Sequence, residues 1–172
     1  MSGLTEIHYY QSRKDNFWAW RHAMYQGALS VNTEQLESIA TMLYVEMLRN
    51  GYTSLAEFHY LHHDEKGLRY PNLSELGERL ISAAKTAGIR ITLISIFYQK
   101  GGFGLPAEVH QRILLSKDTD DYFCLLEAPN ISIRLYKNAQ MDFGIHSFRA
   151  TDHVFTKRIL KRGQQIIPSI CI

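Results

Sequence analysis

The chain has 172 residues, 45% of them hydrophobic and 21% charged, which fits one globular domain able to bury a core without disulfide or metal staples. Its 19 basic and 17 acidic residues leave a formal charge of +2, scattered along the sequence, which argues against a dedicated nucleic-acid or anionic-membrane surface. No apolar run approaches the ~20 residues of a membrane span, and the first 17 residues lack the apolar stretch of a signal peptide, so a soluble, cytoplasmic protein is expected.

In chain order, Phe17 to Leu29 predicts a short helix with Trp20, Met24 and Leu29 as its apolar positions. Asn32 followed by Gln35 has the spacing of a capping box. Leu36, Ile39, Ala40, Leu43 and Met47 then follow at helical intervals, and Gly51 lies where a left-handed exit is easy. Tyr52 to Tyr60 reads as the first strand, Asp64 to Gly67 as a turn, and Pro71 as loop. A helix is expected from a Ser74 cap through Leu76, Leu80, Ile81 and Ala84 to Gly88. Ile89 to Phe97 is β-branched and nearly all apolar, as in a strand covered on both faces.

Gly101, Gly102, Gly104 and Pro106 mark a loop. Helical pattern resumes around Tyr122 to Glu127 and is interrupted by Pro129, while Ile131 to Asn138 fits either strand or helix. Met141 to Phe148 predicts a third strand. A last helix should be capped by Thr151 or Asp152 and closed by Gly163, with the basic run Lys157 to Gly163 as its solvated face. Ile166 to Ile172 reads as the start of a fourth strand. The two cysteines, Cys124 and Cys171, are far apart, match no zinc-ribbon spacing and sit among apolar residues, so buried reduced thiols are expected.

The order α-β-α-β-α-β-α-β predicts an α/β fold with a parallel sheet and no internal domain boundary. It is either an open doubly wound sheet or part of a (β/α)8 barrel, since a closed barrel usually needs about 250 residues. Both architectures gather function at the C-terminal ends of strands. The candidates there are His59, Tyr60, His62 and His63 at the end of the first strand, Tyr98 at the end of the second, and His146 and Arg149 at the end of the third.

The stretch EFHYLHHD, Glu57 to Asp64, has the composition of a metal site. Strand alternation argues against it: Glu57, His59 and His63 would share one face, Tyr60 and His62 the other. Adjacent histidines are a weak metal signal, and hydrogen-bonded supports are the simpler reading of His62 and His63. His146 can carry a proton and Arg149 can grip a carboxylate with two hydrogen bonds; a structural arginine at a helix entry is the alternative. GGFG, Gly101 to Gly104, lacks a phosphate-loop signature and reads better as a mobile loop beside a site. Ser147 is not in a nucleophile elbow, and neither cysteine has a visible catalytic partner.

The segments DNFWAWRHAMY, LYVEMLRNGYTSLAEFHYLHHDEKG, AAKTAGIRITL, YQKGGFG and HSFRATD resemble, in order and over nearly the whole chain, the formimidoylglutamate deiminases of the amidohydrolase superfamily. The resemblance implies a partial (β/α)8 TIM barrel of about four βα units. It implies hydrolysis of N-formimino-L-glutamate to N-formyl-L-glutamate and ammonia in histidine degradation, with a divalent metal, typically zinc, activating water. By position it makes Tyr60, His146 and Arg149 substrate contacts and gives His62 and His63 no metal role. It sets the family's His-x-His ligand pair before the segment matching MSGLTEI, and the third histidine ligand on the strand that IIPSICI begins. The remaining Asp ligand and the acid–base His come later. The expectation is therefore an interior barrel fragment that lacks every metal ligand and is inactive alone. A non-catalytic remnant or interaction module is the alternative. A cut barrel would expose sheet edges, which recruit other chains, so marginal stability and self-association are expected.

Overall fold

Residues 17–128, 133 and 135–167 are described by the computed structural model, and local signals set most of its element boundaries. α1 spans Phe17–Leu29 and α2 Thr33–Arg49. The Asn32 side chain accepts the Gln35 N–H at 2.8 Å, and Gln35 Oε1 accepts the Asn32 N–H at 3.0 Å, so the capping box is complete and two orphan donors are satisfied. Gly51 turns the chain out of α2 with φ of +90°. β1 is Ser54–His59 and α3 is Glu75–Ala87, which ends on Gly88 at φ of +86°. Ser74 stands at the N-cap of α3, but its hydroxyl bonds the Asn72 and Glu78 side chains instead of a backbone N–H.

β2 is Arg90–Phe97, followed after a short 3-10 turn at Val109–Gln111 by α4, Thr119–Glu127. β3 is Ala139–Ile145 and α5 is His153–Ile166. The ambiguous stretch from Ile131 lies partly outside the described residues. Its end, Tyr136 to Asn138, is a turn, with the Ala139 N–H donating to Tyr136 O at 2.8 Å. Tyr136 reaches across to donate its hydroxyl to Ile89 O at 2.8 Å. The expected fourth strand lies mostly outside the described residues, apart from Ile166, which ends α5, and Ile167 after it.

The three strands form one parallel sheet in the order β1-β2-β3, with Phe58, Ile94 and Asp142 in register and His59, Ser95 and Phe143 beside them. Parallel neighbours need crossovers, and here helices supply them. Alternation divides the sheet into two faces. Leu55, Ile91, Leu93 and Ala139 pack with Tyr44, Leu80, Ile81 and Ala84 into a core between sheet and helices. Phe97, Phe143, Tyr122 and Ile159 form a second core under α4 and α5. The opposite face is left more open, with Ala56 and Phe58 exposed and Thr92 and Ile94 half-buried. On a barrel, that is the inward face.

Two expectations are corrected. Gly163 does not close the last helix, which runs on to Ile166; it is buried inside α5. A Cβ there would stand 2.4 Å from the Phe143 ring, so glycine is required for α5 to lie against β3. Gly163→Ala should therefore destabilise the fold by about 1–3 kcal/mol through overpacking; an unchanged urea midpoint would contradict this contact. Cys124 is exposed, because it falls on the outer side of α4, whose buried residues are Thr119, Tyr122, Phe123 and Leu126; Cys171 lies outside the described residues. The basic run behaves as expected. Lys157, Arg158, Lys161 and Arg162 are exposed, with Arg158 pairing Asp120 at 2.7 Å and Arg162 set over the Phe123 ring at 5.1 Å.

Candidate functional site

Chain positions immediately after the strands bring Tyr60, Tyr98 and His146 together. The His146 N–H donates to Phe97 O at 3.0 Å, which extends the β2–β3 ladder by one residue and fixes where the imidazole emerges. Its ring meets the Tyr98 ring at 4.6 Å, the Tyr60 ring at 5.9 Å and the Phe58 ring at 6.0 Å, edge to face in each case. Such T-shaped contacts suit the aromatic quadrupole. The result is an aromatic corner with one imidazole at its centre. His146 Nδ1 lies 3.1 Å from Ser147 Oγ.

Arg149 follows on the turn into α5. Its Nη1 donates to Gly101 O at 3.2 Å, while the Gln99 and Lys100 N–H groups donate to Ala150 O, each at 2.9 Å. These bonds tie the His146–Ala150 turn to the end of β2. The guanidinium bears electrostatically on His146. Burial first, then the positive charges of Arg149 and Arg21, lower the imidazole pKa, so at neutral pH the ring is uncharged and can accept or donate a hydrogen bond. Burial, helped by Tyr25 and Glu57, raises the Tyr60 phenol, which keeps its proton and remains a donor. The corner thus offers one cation, one neutral imidazole and one phenol, a set suited to an anionic ligand with polar nitrogen.

Sequence reasoning missed the support behind this corner. Arg21 is buried, donates Nε–H to Tyr25 Oη at 3.1 Å and pairs with Glu108 at 3.3 Å. Arg21 and Tyr25 lie in the WAWRHAMY segment already singled out, so they were findable there; Gln111 carries no sequence signal. The Gly-rich loop is anchored at its base. Gly101 and Gly102 are buried, and a Cβ on Gly101 would stand 2.3 Å from Pro106 O.

The histidines of EFHYLHHD go elsewhere. β1 ends at His59, so Tyr60 turns toward the corner while His59 and His62 point into the helix side, their rings 5.1 Å apart. His62 Nε2 donates to Ile96 O at 3.0 Å. A carbonyl only accepts, so the proton is on Nε2 and the bare Nδ1 is buried without a partner. Burial drives the His59 pKa far down and that of His62 to about 4. Among the described residues no three His, Cys, Asp or Glu side chains converge as metal ligands. His59 and His62 come together without a third ligand beside them, so among the described residues they do not make up a site for the zinc that the resemblance implies. No helix among the described residues is long and apolar enough to cross a membrane.

No protein-family profile matches the chain. Compared with curated proteins, it is 37% identical over 169 residues to formimidoylglutamate deiminase of Pseudomonas aeruginosa, covering 98% of this chain and 36% of that protein. Compared with solved structures, it matches the crystal structure of an amidohydrolase from Brucella melitensis with a TM-score of 0.84 and 38% identity, again over 98% of this chain and 36% of the other. The chain thus spans about a third of the length of the relatives it matches. Along that third, its three-stranded parallel sheet matches part of an amidohydrolase barrel, and its sequence is similar to that of formimidoylglutamate deiminase.

Proposed function

We propose that this chain forms the substrate-binding wall of a formimidoylglutamate deiminase. In this reading Arg149 takes a carboxylate of N-formimino-L-glutamate, the Tyr60 hydroxyl donates to the ligand, and the neutral His146 imidazole orients its polar nitrogen end. The observation that carries the reading is the convergence of Tyr60, Tyr98 and His146 at three adjacent strand ends, with Arg149 on the next turn. The name of the Pseudomonas aeruginosa relative supports the ligand class. Guanidinium suits this task because its planar fork matches a carboxylate with two parallel bonds.

The metal that would activate water is assigned to residues outside those described. The chain by itself should then bind the ligand without turning it over. Two measurements test this. Titration with N-formimino-L-glutamate should shift the NMR resonances of Tyr60, His146 and Arg149 together, and shifts confined to other regions would defeat the site. An ammonia assay on the chain with added zinc should stay at background, so sustained turnover would disprove the incomplete metal centre.

A further inference from the structure

Gln111 has no exposure to solvent, and almost all of its amide is used. Its Nε2 donates to Tyr98 Oη at 2.8 Å and to Tyr25 Oη at 3.1 Å, and its Oε1 accepts the Glu108 N–H at 2.8 Å. One primary amide has two N–H bonds about 120° apart in a rigid plane, so two phenols that share it are fixed relative to each other. Tyr25 belongs to α1 and Tyr98 to the end of β2, and no backbone bond joins these two elements among those described. The Tyr98 ring is the nearest aromatic neighbour of the His146 imidazole, at 4.6 Å. The phenol oxygen on the far end of that ring accepts from Gln111 and shares a hydrogen bond with the Tyr25 hydroxyl, so Gln111 and the two phenols form one knot.

We propose that Gln111 is a positioning residue for the ligand wall. By tying the Tyr98 hydroxyl to α1 through Tyr25, it sets the ring face against which His146 is aimed at the ligand. This rests on the reading of Tyr60, His146 and Arg149 as the ligand wall. A buried amide that loses a partner leaves an unsatisfied polar group, which favours rearrangement of the whole knot over a small local gap.

The test uses the full 172-residue chain with labelled histidine, and the variants Gln111→Met, Tyr98→Phe and both together. In Gln111→Met the His146 ring protons should move toward their unfolded-chain positions as the Tyr98 ring current is lost, and ligand binding should weaken about tenfold. Tyr98→Phe removes only the tied hydroxyl and should produce the same change. The double variant should go no further, because the two residues act through one bond. A merely structural Gln111 would lower the melting temperature in both single variants and leave the His146 resonances of the folded chain in place. If Gln111→Met does not fold, Tyr98→Phe decides alone: a folded Tyr98→Phe chain with unmoved His146 resonances overturns the proposal. Failure of the ligand reading looks different, since then the unsubstituted chain would not bind N-formimino-L-glutamate while the imidazole still responded to Gln111→Met.

Discussion

Lowering the pH from 7 to 4 is expected to destabilise the fold by on the order of 3 kcal/mol through His62 alone, at about 1.4 kcal/mol for each pH unit of displacement. The His62 imidazole is buried, and its pKa falls from 6.5 to about 4. The unfolded chain therefore takes up a proton near pH 6.5 that the folded chain refuses until about pH 4. This contribution to stability is complete above pH 6.5 and is lost as the pH falls through that window. Protonation would need a second N–H on Nδ1, which is buried with no acceptor, and a cation 5.1 Å from the His59 ring. His59, itself driven far down by burial and by His62, acts in the same direction. Glu57 acts the other way: burial raises its carboxyl, against the pull of the Tyr44 hydroxyl, so its ionisation costs stability as pH rises. Urea unfolding of the chain and of His62→Gln separates the two. The glutamine amide can still donate to Ile96 O but cannot titrate, so it should flatten the stability profile between pH 4 and pH 6.5. A profile equally steep in His62→Gln would remove the imidazole as the cause.

Replacing Arg149 with methionine should weaken binding of N-formimino-L-glutamate by more than about 30-fold, since truncating one partner of a hydrogen-bonded charge pair costs ~2–5 kcal/mol. Methionine keeps much of the aliphatic length, so the His146–Ala150 turn should hold. That turn is pinned mainly by the two N–H groups that donate to Ala150 O, and only one bond to Gly101 O depends on the guanidinium. Lysine at the same place should recover part of the affinity through charge alone, without the bidentate fork. Removal of Arg149 also lifts one of the two positive charges that bear on His146. The His146 pKa should therefore rise toward its ordinary value in the variant. Isothermal titration reads the affinity and a histidine NMR titration reads the imidazole; undiminished affinity in Arg149→Met would take this residue out of the ligand wall.

Much of the fold was legible because it depends on neighbours in sequence. The Asn32–Gln35 box, the left-handed exits at Gly51 and Gly88 and the apolar run before Phe97 each act within one or two turns of chain. The strand ends were legible too, and with them Tyr60, Tyr98, His146 and Arg149, because parallel sheets put such residues at one edge. Gly163 misled because a glycine late in a helix looks the same whether it ends the helix or admits the Phe143 ring. Cys124 misled because apolar neighbours in sequence do not say which side of a helix a residue takes.

The sequence by itself determined the α/β order, the helix caps and which side chains stand at the strand ends, since periodicity and capping are set by local backbone geometry. It also carried the resemblance through its motifs. Only the tertiary structure decided that EFHYLHHD splits, with Tyr60 joining His146 while His59 and His62 are buried neutral against Ser95 and Ile96. That split depends on where β1 stops and on which strand lies beside it. Only the tertiary structure joined Arg21, Tyr25, Tyr98 and Gln111, which are separated by up to 90 positions and meet where α1 and the 3-10 turn come together beyond the C-terminal end of β2. Hydrogen bonds across such distances leave no periodic trace in a chain, so no pattern along it could have announced them.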